Sequence, residues 1–401
     1  MKHIIIRNLG PIESAEVELK QYNVIIGPQS TGKSCVLKTV CFCRWVEKSI
    51  FLSQTSRDFI SNDAFLTHLI SFHKLDEYIK SDTYIEYESD YTKFSFDNSR
   101  NENNKLLFEW KEENRWNYKR PQISYIPAER NLVAVIPNWM TVNLPKGNIL
   151  SFMSEWNEAR HLVKNSLPIL DLGVSYKYDS ISDRDLVIVG DTSPINFTNT
   201  SSGLHALIPL YVHIDYLTRV KPTVPVKASV QVQEAEIKLQ ARIVLYLIRK
   251  YQIKPMDIEL SDSKLIDKEI VARFGINNSV YPFSQAIYSE YLSILNRLQK
   301  TQHFEFFIEE PEENLFPITQ TALMGWLKKI IDGNNANLLF IATHSPHILQ
   351  YFIENKAELN LMRFEDAGNG RNKMVTLTRE QVDELRRMGS YAYFMLDWCV
   401  G

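Results

Sequence analysis

Three groups of residues in this chain have the types and spacing to do chemistry on a phosphate chain. The first is Gly27-Pro28-Gln29-Ser30-Thr31-Gly32-Lys33-Ser34, followed by Cys35. It fits G-x-x-x-x-G-K-[ST], a glycine-rich loop whose backbone N–H groups face phosphates. In such a loop Lys33 reaches the β- and γ-phosphates and the Ser34 hydroxyl ligates Mg²⁺. The second group is Glu309-Glu310, with Glu312 and Glu313 close behind. Nucleotide hydrolysis needs one carboxylate to hold Mg²⁺ and another to orient or deprotonate the attacking water. Glu309 and Glu310 suit those two tasks in that order. The third is His344, a candidate to sense the γ-phosphate.

The elements that must position these residues are legible around them. Tyr22 to Ile26 is a short apolar run of strand character, and the residues after Lys33 continue as a helix to about 52. Strand, glycine loop and helix is the order the chemistry requires, because the helix N-terminus adds positive potential. Phe304–Ile308 is a buried strand that ends at Glu309. Leu338–Ala342 is another, ending in Thr343-His344-Ser345-Pro346. Ile123–Ile126 is a third, ending in Pro127-Ala128-Glu129-Arg130. Nearly uninterrupted apolar strands that end in polar residues mark a parallel sheet covered by helices, with its site at the carboxyl ends.

The remaining chain fills in around that sheet. Runs at 2–8 and 12–19 meet at Gly10-Pro11, a hairpin signal. The spacing predicts helix over 58–80, short strands at 83–97 and 105–110, and helix over 148–164. It predicts further strands at 173–178, 185–190 and 194–198. Lys111 to Arg120 mixes charge with Trp116 and Tyr118, which reads as a solvated hairpin or, less simply, as a single-strand-binding stretch. Ser201 or Ser202 caps an apolar helix running to about Arg219. Pro222 and Pro225 then break the pattern. Residues 228–300 read as largely helical, over 230–251, 263–274 and 282–300. The fold expected is α/β, a mixed sheet flanked by helices with an antiparallel β subdomain and a helical insertion. Its parts are 1–220, an insertion at 221–302, and 303–401.

Composition narrows the class. The chain has 401 residues, is 44% hydrophobic and 23% charged, and carries a net charge of −3. That is ordinary for a globular protein and argues against attraction of the whole surface to nucleic acid. No apolar run approaches the roughly 20 residues that cross a membrane. Cys35, Cys41, Cys43 and Cys399 make neither a disulfide framework nor a zinc site, so a cytoplasmic setting is expected. Asp183-Arg184-Asp185 is a DxD, read as a surface turn. The i, i+3 pair His344 and His347 lacks a carboxylate on its face and is a weak metal site.

Taken together these residues resemble an ABC-type ATPase of the SMC and OLD (overcoming lysogenization defect) group. The resemblance rests on the hairpin leading into Gly27–Ser34, on Ser201-Ser202-Gly203, and on Ile308-Glu309-Glu310-Pro311-Glu312. Asn314-Leu315-Phe316-Pro317, Ala342-Thr343-His344-Ser345-Pro346 and Pro127-Ala128-Glu129-Arg130 match as well. It implies ATP and Mg²⁺ as cofactors. It also implies two heads packed head to tail, or a higher homo-oligomer, with Ser201, Ser202 and Gly203 contacting the nucleotide of a partner copy. Glu309 stands where many such proteins carry Asp, His205 where Gln is frequent, and no glutamine follows the strand at 123–126, where Glu129 occupies the region. OLD nucleases carry a metal-dependent TOPRIM domain, and the stretch after His344 is shorter than the roughly 100 residues of such a domain. The chain therefore resembles the ATPase subunits of bacterial anti-phage systems such as PARIS and Septu. There a separately encoded nuclease or toxin is the effector, and a phage protein is a candidate trigger. An SMC-like ATPase that binds DNA in repair or maintenance is the alternative. The aromatic run Tyr391 to Trp398 is either core or a docking surface.

Overall fold

In a computed structural model, which describes residues 2–61, 64–101, 105–136, 141–163, 165–223, 230–256, 270–276, 279–355 and 359–389, the apolar runs become strands of one sheet. In chain order the elements begin β1 (Lys2–Leu9), β2 (Ile12–Leu19), β3 (Tyr22–Ile26), α1 (Lys33–Ser53), α2 (Arg57–Ile60), α3 (Ala64–His73), β4 (Ile79–Glu88), β5 (Thr92–Asp97), β6 (Leu106–Trp110) and β7 (Pro121–Ile126). They continue with α4 (Leu132–Val135), α5 (Asn148–Leu162), β8 (Leu167–Pro168), β9 (Val174–Asp179), β10 (Arg184–Val189), β11 (Ile195–Asn196), α6 (Ser202–Asp215) and α7 (Val230–Tyr251). The last group is β12 (Ile270–Ile276), β13 (Ser279–Ser284), α8 (Gln285–Gln299), β14 (His303–Glu309), α9 (Pro317–Asp332), β15 (Leu338–Thr343), α10 (Pro346–Asn355), β16 (Leu359–Gly368), β17 (Arg371–Thr376) and α11 (Arg379–Met388).

Eleven strands form the main sheet in the order β6-β5-β4-β1-β2-β17-β16-β3-β15-β14-β7. Strands β16, β3, β15, β14 and β7 run parallel. Strands β6, β5, β4, β1 and β2 pair antiparallel, and β17 joins the halves. The fold is thus mixed α/β with an antiparallel arm, as the sequence suggests. Register sets the site: Ile26 lies beside Thr343, Ala342 beside Glu309, and Ile308 beside Ile126. The polar residues that follow these positions therefore emerge along one rim.

Strand geometry explains why the parallel strands read as unbroken apolar runs. Alternate side chains point to opposite faces, and here both faces are covered. Val24, Ile26, Phe306, Ile308, Leu339 and Ile341 face a core shared with α5, α6, α9 and α10. Ile25, Phe307 and Phe340 face another, shared with α1 and α3. Helix α1 is buried on most of its circumference because it lies between the sheet and α7 and α8. Its N-terminus, where the glycine loop ends, is accordingly held from several sides.

A buried ionic cluster ties the same parts together. Glu305, in the middle of β14, accepts from Arg44 Nη2 at 2.7 Å and Nε at 2.8 Å, and from Lys2 Nζ at 2.8 Å. Arg44 also reaches Glu47 and the Tyr87 hydroxyl. Burial alone raises a carboxyl pKa, but Arg44 and Lys2 outweigh it and hold Glu305 well below the usual range. The cluster joins α1, β1, β4 and β14.

Three expectations are corrected. The span 58–80 is not one helix: α3 ends where Lys74 adopts φ +55, and β4 begins at Ile79. The insertion is not wholly helical. Residues 257–269 lie outside the described residues, and where helix was expected to 274 the chain forms β12, paired with β13. The reason is legible afterwards: Ile270, Ala272, Phe274 and Ile276 alternate with more exposed neighbours, which is strand period. Residues 282–284 belong to β13 rather than to α8. The 111–120 stretch is not a solvated hairpin either. Trp116 stacks on Tyr246 of α7, and Tyr118 is buried against Phe51 of α1. Both rings pack in a core shared by α1, α7 and α8. The aromatic run 391–398 and Cys399 fall outside the described residues.

Candidate nucleotide site

The glycine loop has a backbone that only its own residues allow. Gly27 lies at φ +146, Ser30 at +63 and Gly32 at +112. A Cβ at Gly32 would stand 2.7 Å from Cγ1 of Ile12 on β2, so glycine is required there for space as well as for φ. Gly32 is also the N-cap of α1 and has no side chain to bond the first turn. Those N–H groups point outward without a side-chain cap, the condition under which a helix start receives anions.

Three neighbouring strands deliver the remaining groups. Lys33, after β3, donates from Nζ to the carbonyls of Gly27 at 2.9 Å and Pro28 at 2.6 Å. The same Nζ lies 3.4 Å from Nδ1 of His344, which follows β15. An ammonium has no acceptor, so Nδ1 must accept, which leaves the Nε2–H for a carboxylate. Nε2 stands 3.2 Å from Oε1 of Glu310, which follows β14. The His344 backbone N–H donates to Glu312 at 2.6 Å. Gln29, Ser30, Gly32, Lys33, Ser34, Cys35, Glu310 and His344 line one cavity of about 360 Å³, with Pro11 and Tyr78 at its side.

Charge in this cavity follows from burial and contact. Burial brings the Lys33 pKa down to about 8, against the pull of Glu310 and Glu312. The His344 hydrogen bond holds Glu310 below its ordinary value. Burial raises Glu312 and Glu313. Glu310 also has φ +41, a rare conformation for this residue type, held by its N–H bond to Ala342 O at 2.9 Å. Glu309 is buried, with the Tyr125 hydroxyl as its neighbour. An uncapped helix start, an ammonium and a carboxylate buried at the end of the adjoining strand fit a polyphosphate carrying a divalent cation.

In the sequence Arg130 stands out only as the last residue of Pro127-Ala128-Glu129-Arg130, and its role becomes visible in the fold. Its buried guanidinium donates to Glu309 O at 2.9 Å, Glu310 O at 2.7 Å and Pro127 O at 3.2 Å. Its Nε donates to Ala206 O of α6 at 3.0 Å. Its neighbour Glu129 points to solvent. An arginine after an apolar strand, level with two other site-bearing strand ends, is the signal that could have found it.

Ser201, Ser202 and Gly203 are not brought to this cavity. Ser201 is the N-cap of α6, in extended conformation and without a side-chain capping bond. Both serines are exposed. Gly203 packs so closely on Asn314 that a Cβ would meet its carbonyl oxygen at 2.9 Å. Beyond Asn314, Phe316 is 71% exposed and Ile318 72%. His205 lies 2.9 Å from Phe197 O through Nε2. Asp183 and Asp185 are each bonded to Arg160, at 3.1 Å and 3.0 Å, and to Tyr178 and Tyr176. His347 starts α10, its N–H bonded to Ser345 Oγ.

No family model matches the sequence, and no curated protein matches it. Among solved structures, the chain is similar to the SMC head domain from Thermotoga maritima, with a TM-score of 0.41 and 9% identity over 94% of this chain and 98% of that one. It is similar to the Smc head domain of Pyrococcus furiosus, solved with an extended coiled coil and bound to the C-terminal domain of ScpA, with a TM-score of 0.41 and 8% identity over 97% and 99%. A third likeness is to the recombination mediator protein RecF-ATPrS of the RecFOR pathway, with a TM-score of 0.30 and 11% identity over 93% and 97%. No helix among the described residues is long and apolar enough to cross a membrane.

Proposed function

We propose that this chain is an ABC-type ATPase whose two copies meet head to tail on nucleotide. The observation that supports the reading most is the contact chain from Lys33 through His344 to Glu310, at the ends of adjacent strands β3, β15 and β14. In this reading the backbone from Gly27 to Cys35 cradles the phosphates, and Lys33 places its charge on the β- and γ-phosphates. Ser34 and Glu309 would hold Mg²⁺, which would neutralise charge on the phosphates when bound. Glu310 takes the proton of the attacking water. His344 keeps that carboxylate ionised and faces the γ-phosphate.

Ser201, Ser202 and Gly203 then serve the other copy's site. Their exposure at the start of α6, beside exposed Phe316 and Ile318, supports an interface there. The test mixes two defective variants. Lys33→Ala spoils one half-site and Ser202→Arg the other, so a heterodimer keeps one intact composite site. The expected result is that ATPase activity returns on mixing, although each parent has little. A mixture as inactive as its parents, with heterodimers shown to form, would count against the head-to-tail arrangement.

The depressed Lys33 pKa gives a second expected result. The ammonium must carry its proton to bind phosphate. Below about pH 8 it does so, and ATP binds with full strength. Above about pH 8 binding must take up a proton, so affinity falls by up to about tenfold per pH unit. Phosphate groups lose their second proton near pH 6, so the slope belongs to the protein. Calorimetric titration of ATP from pH 7 to above 9 checks it, and a flat profile would show that Lys33 does not titrate there.

The output of the cycle in this reading is control of a separately encoded nuclease or toxin in anti-phage defence. Helix α7 provides a surface for that effector. Residues 231–238 face solvent, and Ile237 is 65% exposed.

A further inference from the structure

A second cavity, of about 450 Å³, opens between α1, α3, β7 and α5, and shares no residue with the glycine-loop cavity. Its walls are rings: Phe42 and Trp45 from α1, His73 from α3, Tyr125 from β7 and Phe152 from α5. Such walls suit a flat apolar ligand of one or two rings. One buried polar atom on these walls lacks a hydrogen-bond partner among the described residues, Nδ1 of His73. His73 is only 1% exposed, and burial brings its pKa down to about 3, so it is a neutral imidazole. An unpartnered buried imidazole nitrogen is costly unless something bonds to it.

The charge in the cavity has one sign to spare. Lys48 lines it, and burial, with the Arg120 and Lys221 charges, brings its pKa down to about 8. It is therefore a cation at neutral pH. Two carboxylates favour its charge, Glu305 and Glu155, and Glu155 lines the same cavity. Glu305 belongs to Arg44 and Lys2. Glu155 sits 3.3 Å from His213 Nε2, and burial pushes its pKa up to about 7, so its negative charge is incomplete. Lys146 adds a second cation among the lining residues. A half-buried lysine whose neighbouring carboxylate is only partly ionised at neutral pH favours an anion.

We propose that this cavity binds a small planar aromatic anion, one or two rings bearing a carboxylate, sulfonate or phosphate. The ring lies among Phe42, His73, Tyr125 and Phe152, and the anionic group meets Lys48. The site is independent of the glycine loop but adjoins it mechanically. Its wall α1 begins at Lys33, and the strand carrying Tyr125 leads into Arg130.

The experiment uses the full chain and a matched pair of probes, indole-3-acetate and its neutral amide, followed by ligand-observed NMR and calorimetry. The acid is expected to bind about 10-fold more tightly than the amide, the effect of one charge-assisted contact. Lys48→Met should erase that difference. Ser151→Trp, which places an indole in the cavity from α5, should abolish binding of both probes and leave ATP binding and the unfolding midpoint unchanged. Saturating ATP should not displace the acid. The proposal is overturned if neither probe binds at millimolar concentration or if both bind alike. It is also overturned if ATP displaces the acid, or if binding survives Ser151→Trp in folded protein. Should Ser151→Trp fail to fold, the Lys48→Met comparison decides alone.

Discussion

Glu310→Gln is expected to slow ATP hydrolysis by about 10²-fold or more while ATP remains bound, since a positioned general base contributes about 10²- to 10⁴-fold. The substitution keeps size and leaves an amide oxygen to accept from His344 Nε2, 3.2 Å from the carboxylate today. It removes only the ability to take a proton. That ability is present at neutral pH because the His344 hydrogen bond, then the Lys33 charge, hold Glu310 ionised. The backbone should not change, since the φ of +41 at this position is fixed by main-chain bonds to Ala342 and Arg130. Single-turnover measurements separate the chemical step from binding, and sedimentation shows whether the ATP-bound variant accumulates as dimers. If Glu309→Gln stops turnover and Glu310→Gln does not, the two carboxylates have exchanged roles.

Lys33→Ala is expected to lose ATP binding while the chain stays folded. Truncating one partner of a desolvated, charge-assisted contact costs about 2–5 kcal/mol, or about 30-fold to several thousandfold in affinity. The fold has little to lose. Among the described residues Lys33 Nζ bonds to two loop carbonyls and His344. Burial already disfavours its charged form, which its lowered pKa records. Calorimetry should show weak or no ATP binding, with an unfolding midpoint close to that of the natural chain. Unchanged ATP affinity would remove the glycine loop from the nucleotide site.

Much of this was legible because nucleotide chemistry needs particular residues at strand ends. The runs before Gly27, Glu309 and His344 are apolar on both faces, and each stops where polar residues begin. Their adjacency followed from parallel-sheet logic. Other features needed the fold. Glu305 interrupts an apolar strand and reads as a blemish, because its partners Lys2 and Arg44 lie far away in sequence. Arg130 looks like any loop arginine until its carbonyl partners are placed around it. The pair β12 and β13 was misread because a short amphipathic run fits period 2 or period 3.6 almost equally well. Whether Ser202 serves its own chain or another is invisible to a sequence, since one chain does not reveal its neighbour.

The guanidinium of Arg130 also acts as a rigid strut. One end is pinned to the carbonyl of Ala206 on the helix that begins at Ser202, the other to the carbonyls of Glu309 and Glu310. A planar group with fixed donor directions transmits displacement rather than absorbing it. If a second copy presses on the start of α6, the helix can tilt only by breaking a buried charge-assisted bond or by dragging the Glu309–Glu310 turn with it. In the head-to-tail arrangement proposed above, arrival of a partner at the exposed serines would be converted into motion at Glu310, without any ligand travelling between the two.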